Sequence, residues 1–121
     1  MQDAARTALY DGAKLVYHQG LLRKGVGLCH GIAGSVYTLL AVSSALDTSN
    51  NDEHLRQAAH LALLAGAWRK LTQDGKMNVP DRRWSLYEGL AGMCCAWAAV
   101  AARLHGKKAE GMPGYDDLDI Y

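Results

Sequence analysis

The chain has 121 residues, 50% hydrophobic, 21% charged and 7% aromatic with no Phe, so its length allows one ordinary domain and excludes two. Thirteen Lys plus Arg nearly cancel twelve Asp plus Glu. That balance argues against nucleic acid as a partner and against disorder driven by acidic excess. Three cysteines are too few for a disulfide scaffold, and no charged segment followed by an apolar run opens the chain. An intracellular, reducing, cytoplasmic setting is expected.

Leu, Ala and Gly dominate, Pro occurs twice, and no segment sustains the period-2 alternation of a strand, so an all-α protein is predicted. Asp3 is placed to cap a first helix in which Ala5, Leu9, Ala13, Val16 and Tyr17 recur every three or four residues, ending near His18. Residues 20–27 form a loop carrying Arg23 and Lys24. The second helix runs over residues 31–46, a charge-free stretch shorter than the roughly 18 to 20 residues a bilayer requires. Together with the apolar stretch 89–102, it reads as a helix buried on most sides, and no transmembrane segment is expected. Residues 47–51 carry turn chemistry. Asn50 and Glu53 form a capping arrangement for a third helix that runs through Leu55, Ala58, Ala59, Ala62, Leu63 and Ala67 toward Leu71. Asp74, Gly75 and Pro80 end it. A fourth helix follows Glu88 and runs to about Leu104, and residues 106–121 read as a tail.

An internal repeat organises these elements. Leu28-Cys29-His30-Gly31-Ile32-Ala33-Gly34 aligns with Leu86-Tyr87-Glu88-Gly89-Leu90-Ala91-Gly92 at a spacing of 58 residues, and Ala41-Val42 aligns with Ala99-Val100. Each copy is a mostly polar helix, a loop and a Gly-opened apolar helix, which predicts helical hairpins stacked or closed into a ring. Gly at the mouth of each inner helix allows close backbone approach and leaves N–H groups for an anion or a thiolate. Such units bury a face only against neighbours, and at least three are usually needed. The 121 residues therefore read as about two hairpins plus a tail, the C-terminal part of a larger protein or a truncated gene model.

Cys29-His30 is the pair most suited to chemistry. A thiolate and an imidazole are both common Zn²⁺ ligands, and a helix N-terminus favours the deprotonated thiol. A buried Cys beside a loop His is the alternative, because no further ligand sits at metal spacing nearby. The second repeat has Tyr87 and Glu88 at these positions, so packing of the repeat does not itself require Cys or His.

The run Gly25-Val26-Gly27-Leu28-Cys29-His30-Gly31-Ile32-Ala33-Gly34, with Ser85-Leu86-Tyr87-Glu88-Gly89-Leu90-Ala91-Gly92, resembles the last two repeats of the eukaryotic lanthionine synthetase C-like (LanC-like) family. Met112-Pro113-Gly114-Tyr115 resembles that family's C-terminal ending. The resemblance implies part of an α/α toroid, a double helical barrel with zinc at one mouth held by two Cys and one His. Water or a thiol substrate takes the fourth position. By motif, Cys29 and His30 are two of these ligands, and the third, a Cys of the preceding repeat, would lie upstream of Met1. Cys94 and Cys95 are read as core cysteines rather than replacement ligands.

The chemistry implied is addition of a zinc-activated thiol to the β-carbon of a dehydroamino acid, giving a thioether. The thiol is a peptide cysteine in bacterial members and glutathione in eukaryotic ones. Lys24, five positions before Cys29, matches a family position near the glutathione site and suits a carboxylate. Arg82 and Arg83 lie in the loop before the second motif, as contributors of positive field or as solvated residues. Glu88 occupies the slot of His30, to cap its helix or hold a basic partner. No residue is assigned as the proton donor. Two further readings stay open: a glutathione- or peptide-binding regulatory protein, and an inactive remnant lacking the third ligand. Peripheral membrane association is known for some members of the resembled family. His18, His54, His60 and His105 share no metal spacing and read as satisfied or surface residues; Trp68 and Trp97 read as packing residues. Asp116-Asp117-Leu118-Asp119 reads as a solvated acidic end.

Overall fold

Apolar residues at helical spacing, few prolines and glycines that, Gly12 apart, fall in loops and near helix ends build a chain of helices. The computed structural model describes residues 2–109 and 111–115. Five helices follow in order: α1 (Asp3–Gln19), α2 (Ile32–Leu46), α3 (Glu53–Ala65), α4 (Trp68–Gln73) and α5 (Leu90–Leu104). Among the described residues there is no strand, only an isolated bridge between Thr48 and Asn51. No helix is long and apolar enough to cross a membrane among those residues.

The elements form two layers. α2 is apolar around most of its circumference and places Ile32, Ala33, Val36 and Leu39 wholly out of water against α1, α3 and α5. α5 adds Met93, Ala96, Ala99 and Val100 to the same core. α1 and α3 lie outside, each amphipathic, with Ala13 of α1 and Ala58, Leu61, Ala62 and Ala65 of α3 facing inward. Each buried Ile, Leu or Met contributes about 1.5–3 kcal/mol relative to exposure, so the inner pair holds the hairpins together. The last turns of α4 and α5 are closed in the same way. Gly75 and Gly106 both adopt φ +71, and the following N–H bonds back to Leu71 and Ala102 at 2.8 and 2.9 Å.

Four local expectations are corrected. Asp3 does not cap α1: Gln2 is the N-cap, without a side-chain hydrogen bond, and Asp3 sits in the first turn, where a carboxylate suits the helix dipole. Asn50 does not cap α3 either. The N-cap is Asp52, which makes no side-chain hydrogen bond; the first-turn N–H groups are taken from outside the helix, that of Glu53 by Asn51 Oδ1 at 3.3 Å and those of His54 and Leu55 by the carboxylate of Asp47, the residue that closes α2, at 3.2 and 2.9 Å. The helix expected to reach Leu71 is broken at Gly66. There the N–H groups of Gly66 and Ala67 bond only three residues back, to Leu63 and Leu64 at 3.0 and 3.1 Å, and the chain turns before α4. The stretch after Leu104 is not a free tail throughout, because Ala109 and Met112 pack against the core. The acidic run Asp116 to Asp119 lies outside the described residues.

Candidate metal and thiol site

The two repeat motifs form equivalent turns. The N–H of Ile32 bonds the Gly25 carbonyl at 3.1 Å, and 58 residues on the N–H of Leu90 bonds the Arg83 carbonyl at 2.8 Å. Gly31 and Gly89 cap their helices in matching extended conformations, φ −120 and −127. A Cβ on Gly34 would strike the Leu28 carbonyl, and one on Gly92 would strike that of Leu86. The conserved register of the two copies is therefore a register of backbone contacts. The N–H groups at these helix mouths are not free for an anion as expected, since Gly25, Val26 and Arg83 carbonyls occupy those of Ile32, Ala33 and Leu90.

The two turns face each other. The Cys29 N–H donates to the Tyr87 carbonyl at 2.8 Å, the Asn78 N–H to the Arg23 carbonyl at 2.6 Å, and the Arg23 guanidinium to the Gly75 carbonyl at 3.1 Å. Gly27 sits where the turns touch, and a Cβ there would enter the backbone of Tyr87 and Glu88. Gly114 lies against the Tyr87 side chain, which brings the C-terminal turn to the same place.

Here Cys29 and His30 stand together, both exposed, with Sγ 3.5 Å from Nε2. His30 also lines a cavity of about 280 Å³ with Lys24, Asn78, Asp81 and Glu88. Of the residues singled out from the sequence, Lys24, His30 and Glu88 are thus brought to one place. Arg82 and Arg83 do not line that cavity, and the Arg83 guanidinium lies 5.3 Å from the Trp84 ring. Glu88 makes no cap, since α5 has no side-chain cap hydrogen bond; its own N–H donates to Ser85 Oγ at 3.2 Å. Asp81 was not singled out. The 58-residue offset carries the signal, because it maps Asp81 onto Arg23 in the loop that holds Lys24.

The remaining candidates are structural. His54 is buried, with Nδ1 2.7 Å from Asp47 Oδ1. Burial alone would raise the Asp47 pKa, but donors from the His54 ring, the Leu55 N–H, the Ser43 hydroxyl and the His54 N–H outweigh it and hold the carboxyl below its usual range. His60 Nδ1 is 2.7 Å from the Tyr17 hydroxyl, and His105 Nδ1 is 2.7 Å from the Ala101 carbonyl. His18 is exposed beside the Tyr17 ring. Trp97 packs on the core and donates its indole N–H to the Ala62 carbonyl at 2.8 Å. Cys95 is half-buried, whereas Cys94 is exposed and not a core residue. Among the described residues no group of three His, Cys, Asp or Glu stands close enough to hold a metal.

An all-α chain of inner and outer helices, with a Cys-His pair at the turn of one repeat and Tyr-Glu at the turn of the next, defines a helical-hairpin repeat protein with a specialised mouth. The family model described as lanthionine synthetase C-like protein matches residues 2–108, and the chain belongs to that family. It is 35% identical over 79 residues to "Glutathione S-transferase LANCL1" of Danio rerio, covering 65% of this chain and 18% of the relative. It is 28% identical over 111 residues to "LanC-like protein GCL1" of Arabidopsis thaliana, covering 92% of this chain and 24% of the relative. The chain thus spans a quarter or less of the length of these relatives. No solved structure matches it.

Proposed function

We propose that Cys29 and His30 are two ligands of a zinc ion and that the neighbouring cavity receives a thiol, glutathione or a peptide cysteine, for addition to a dehydroamino acid. The observation that carries this reading is the 3.5 Å between Sγ and Nε2. Two donors on one tetrahedral zinc, at about 2.3 Å for sulfur and about 2.0 Å for nitrogen, stand roughly 3.5 Å apart. The donor pair therefore fits two corners of such a site, and a further protein ligand is required from outside the described residues. Zinc held there supplies deprotonation of a bound thiol near neutral pH.

The chain's own residues supply orientation. Lys24 offers an ammonium to a substrate carboxylate, while Asp81 and Glu88 on the same cavity suit a substrate amine. Glutathione carries both groups as well as its thiol, and the name of the Danio rerio relative supports that choice. In the overall reaction a sulfur–Cβ bond forms as the Cα=Cβ double bond is lost, and the thiol proton ends on Cα. The test is incubation of the zinc-supplemented protein with a dehydroalanine peptide and glutathione. A thioether mass gain that falls with Lys24→Gln through a raised KM is the expected result; no gain above the uncatalysed rate contradicts it.

The two-ligand geometry favours a second reading, thiol binding without turnover. Equilibrium dialysis of glutathione separates the two, since a pure binder retains glutathione but yields no thioether.

A further inference from the structure

Residues 78–80 are shared by two cavities. One is that of Lys24, His30 and Glu88; the other has a volume of about 230 Å³ and is lined by Met77, Val79, Trp68, Trp84, Arg69 and Arg83 among others. Trp68 and Trp84 meet edge to face, their rings at 89° with centroids 6.4 Å apart. Each carries a guanidinium: Arg69 lies 5.2 Å from the Trp68 ring and Arg83 lies 5.3 Å from that of Trp84. Neither arginine forms an ion pair among the described residues, and no Asp or Glu lines the cavity. Trp84 is 60% exposed.

These features specify an occupant. A dry cavity of about 150 Å³ accepts benzene, so this one has room for an aromatic ring with space to spare. A guanidinium stacked on an indole has one face occupied and its N–H edge left for a planar anion, which it grips in bidentate fashion. Stacking also removes part of the rotamer freedom that each arginine would otherwise lose on binding. We propose that the Trp68–Trp84 cavity is a peptide-docking site that takes an aromatic side chain followed in sequence by a residue bearing a carboxylate. The site requires neither zinc nor a thiol.

The experiment is a tryptophan fluorescence titration of the 121-residue chain with a capped Gly-Phe-Asp-Gly peptide, in the presence of a chelator and without thiol. Saturable binding is expected. Replacing the peptide Asp by Lys, or its Phe by Ala, weakens binding roughly tenfold or more. Arg83→Gln weakens the Phe-Asp peptide by a similar factor and leaves the Phe-Lys peptide unchanged. Trp84→Ala, at an exposed position, removes binding while leaving the far-ultraviolet circular dichroism intact; if that variant loses helix, Arg83→Gln decides. No saturable change, equal binding of the Asp and Lys peptides, or indifference to Arg83→Gln overturns the proposal. Because chelator is present and thiol absent, failure here leaves the proposed thiol addition standing, and failure of that reaction leaves this site standing.

Discussion

Cys29 and His30 are adjacent in sequence, and their chemistry is legible for that reason: no tertiary fold is needed to place one beside the other. Asp47 is the opposite case. It reads as a turn residue, yet it closes α2, accepts first-turn N–H groups of α3 and pairs with His54, whose partnership lies seven residues along the chain. A capping box places the cap three residues before Glu53, at Asn50, and Asp47 lies outside that window. Because donors hold the Asp47 carboxyl below its ordinary value of 3.8, its ionised form stabilises the fold fully above that pH, and the contribution is lost as pH falls below it. Asp47→Asn is therefore expected to cost about 1–2 kcal/mol at pH 7, and the gap from the unmodified protein should close in acid. Urea midpoints measured from pH 7 to pH 3 check this; a gap that persists at low pH would contradict it. Cys94 departs from the expected core position for a related reason. An apolar helix suggests burial on every side, but Cys94, Ala98 and Ala101 share an exposed face of α5.

At the scale of elements, the helices were legible from periodicity and their breaks were not. Gly66 stands inside a run of good helix formers, so the pattern continues through it while the backbone does not. The repeat was legible because glycine is the one residue that its contacts permit, and the structure turns that spacing into paired backbone approaches at Gly34 and Gly92. Gly27 is the point where the two turns meet. Gly27→Ala is expected to push them apart, destabilising the fold by about 1–3 kcal/mol or more and weakening the Cys29 N–H bond to Tyr87. Urea unfolding together with amide hydrogen exchange at Cys29 reads both effects, and an unchanged midpoint would contradict this expectation. A second tie joins the other ends of the inner helices. Arg103 of α5 donates to Ser43 Oγ and Ser44 Oγ of α2, each at 2.9 Å, and Ser43 in turn bonds Asp47.

For the whole molecule, these ties mean that neither hairpin has a core of its own. α2 contacts α1, α3 and α5, and its residues form one cluster with theirs. Unfolding followed by far-ultraviolet circular dichroism and by tryptophan fluorescence is expected to give coincident transitions, whereas two separated transitions would show independent hairpins. The all-α layering was legible in the sequence, and so was the family, through the two repeat motifs that lie inside the match over residues 2–108. In the function proposed above, Cys29 and His30, 3.5 Å apart, would be two members of the ligand set on which occupancy of the mouth depends. The direct test is Co²⁺ and Zn²⁺ titration of the protein, following thiolate-to-cobalt charge transfer, with Cys29→Ala and Cys94→Ala in parallel. A thiolate–cobalt band that disappears in Cys29→Ala and survives in Cys94→Ala is the expected result; a band that survives loss of Cys29, or no band in the folded unmodified protein, would contradict the proposed zinc site.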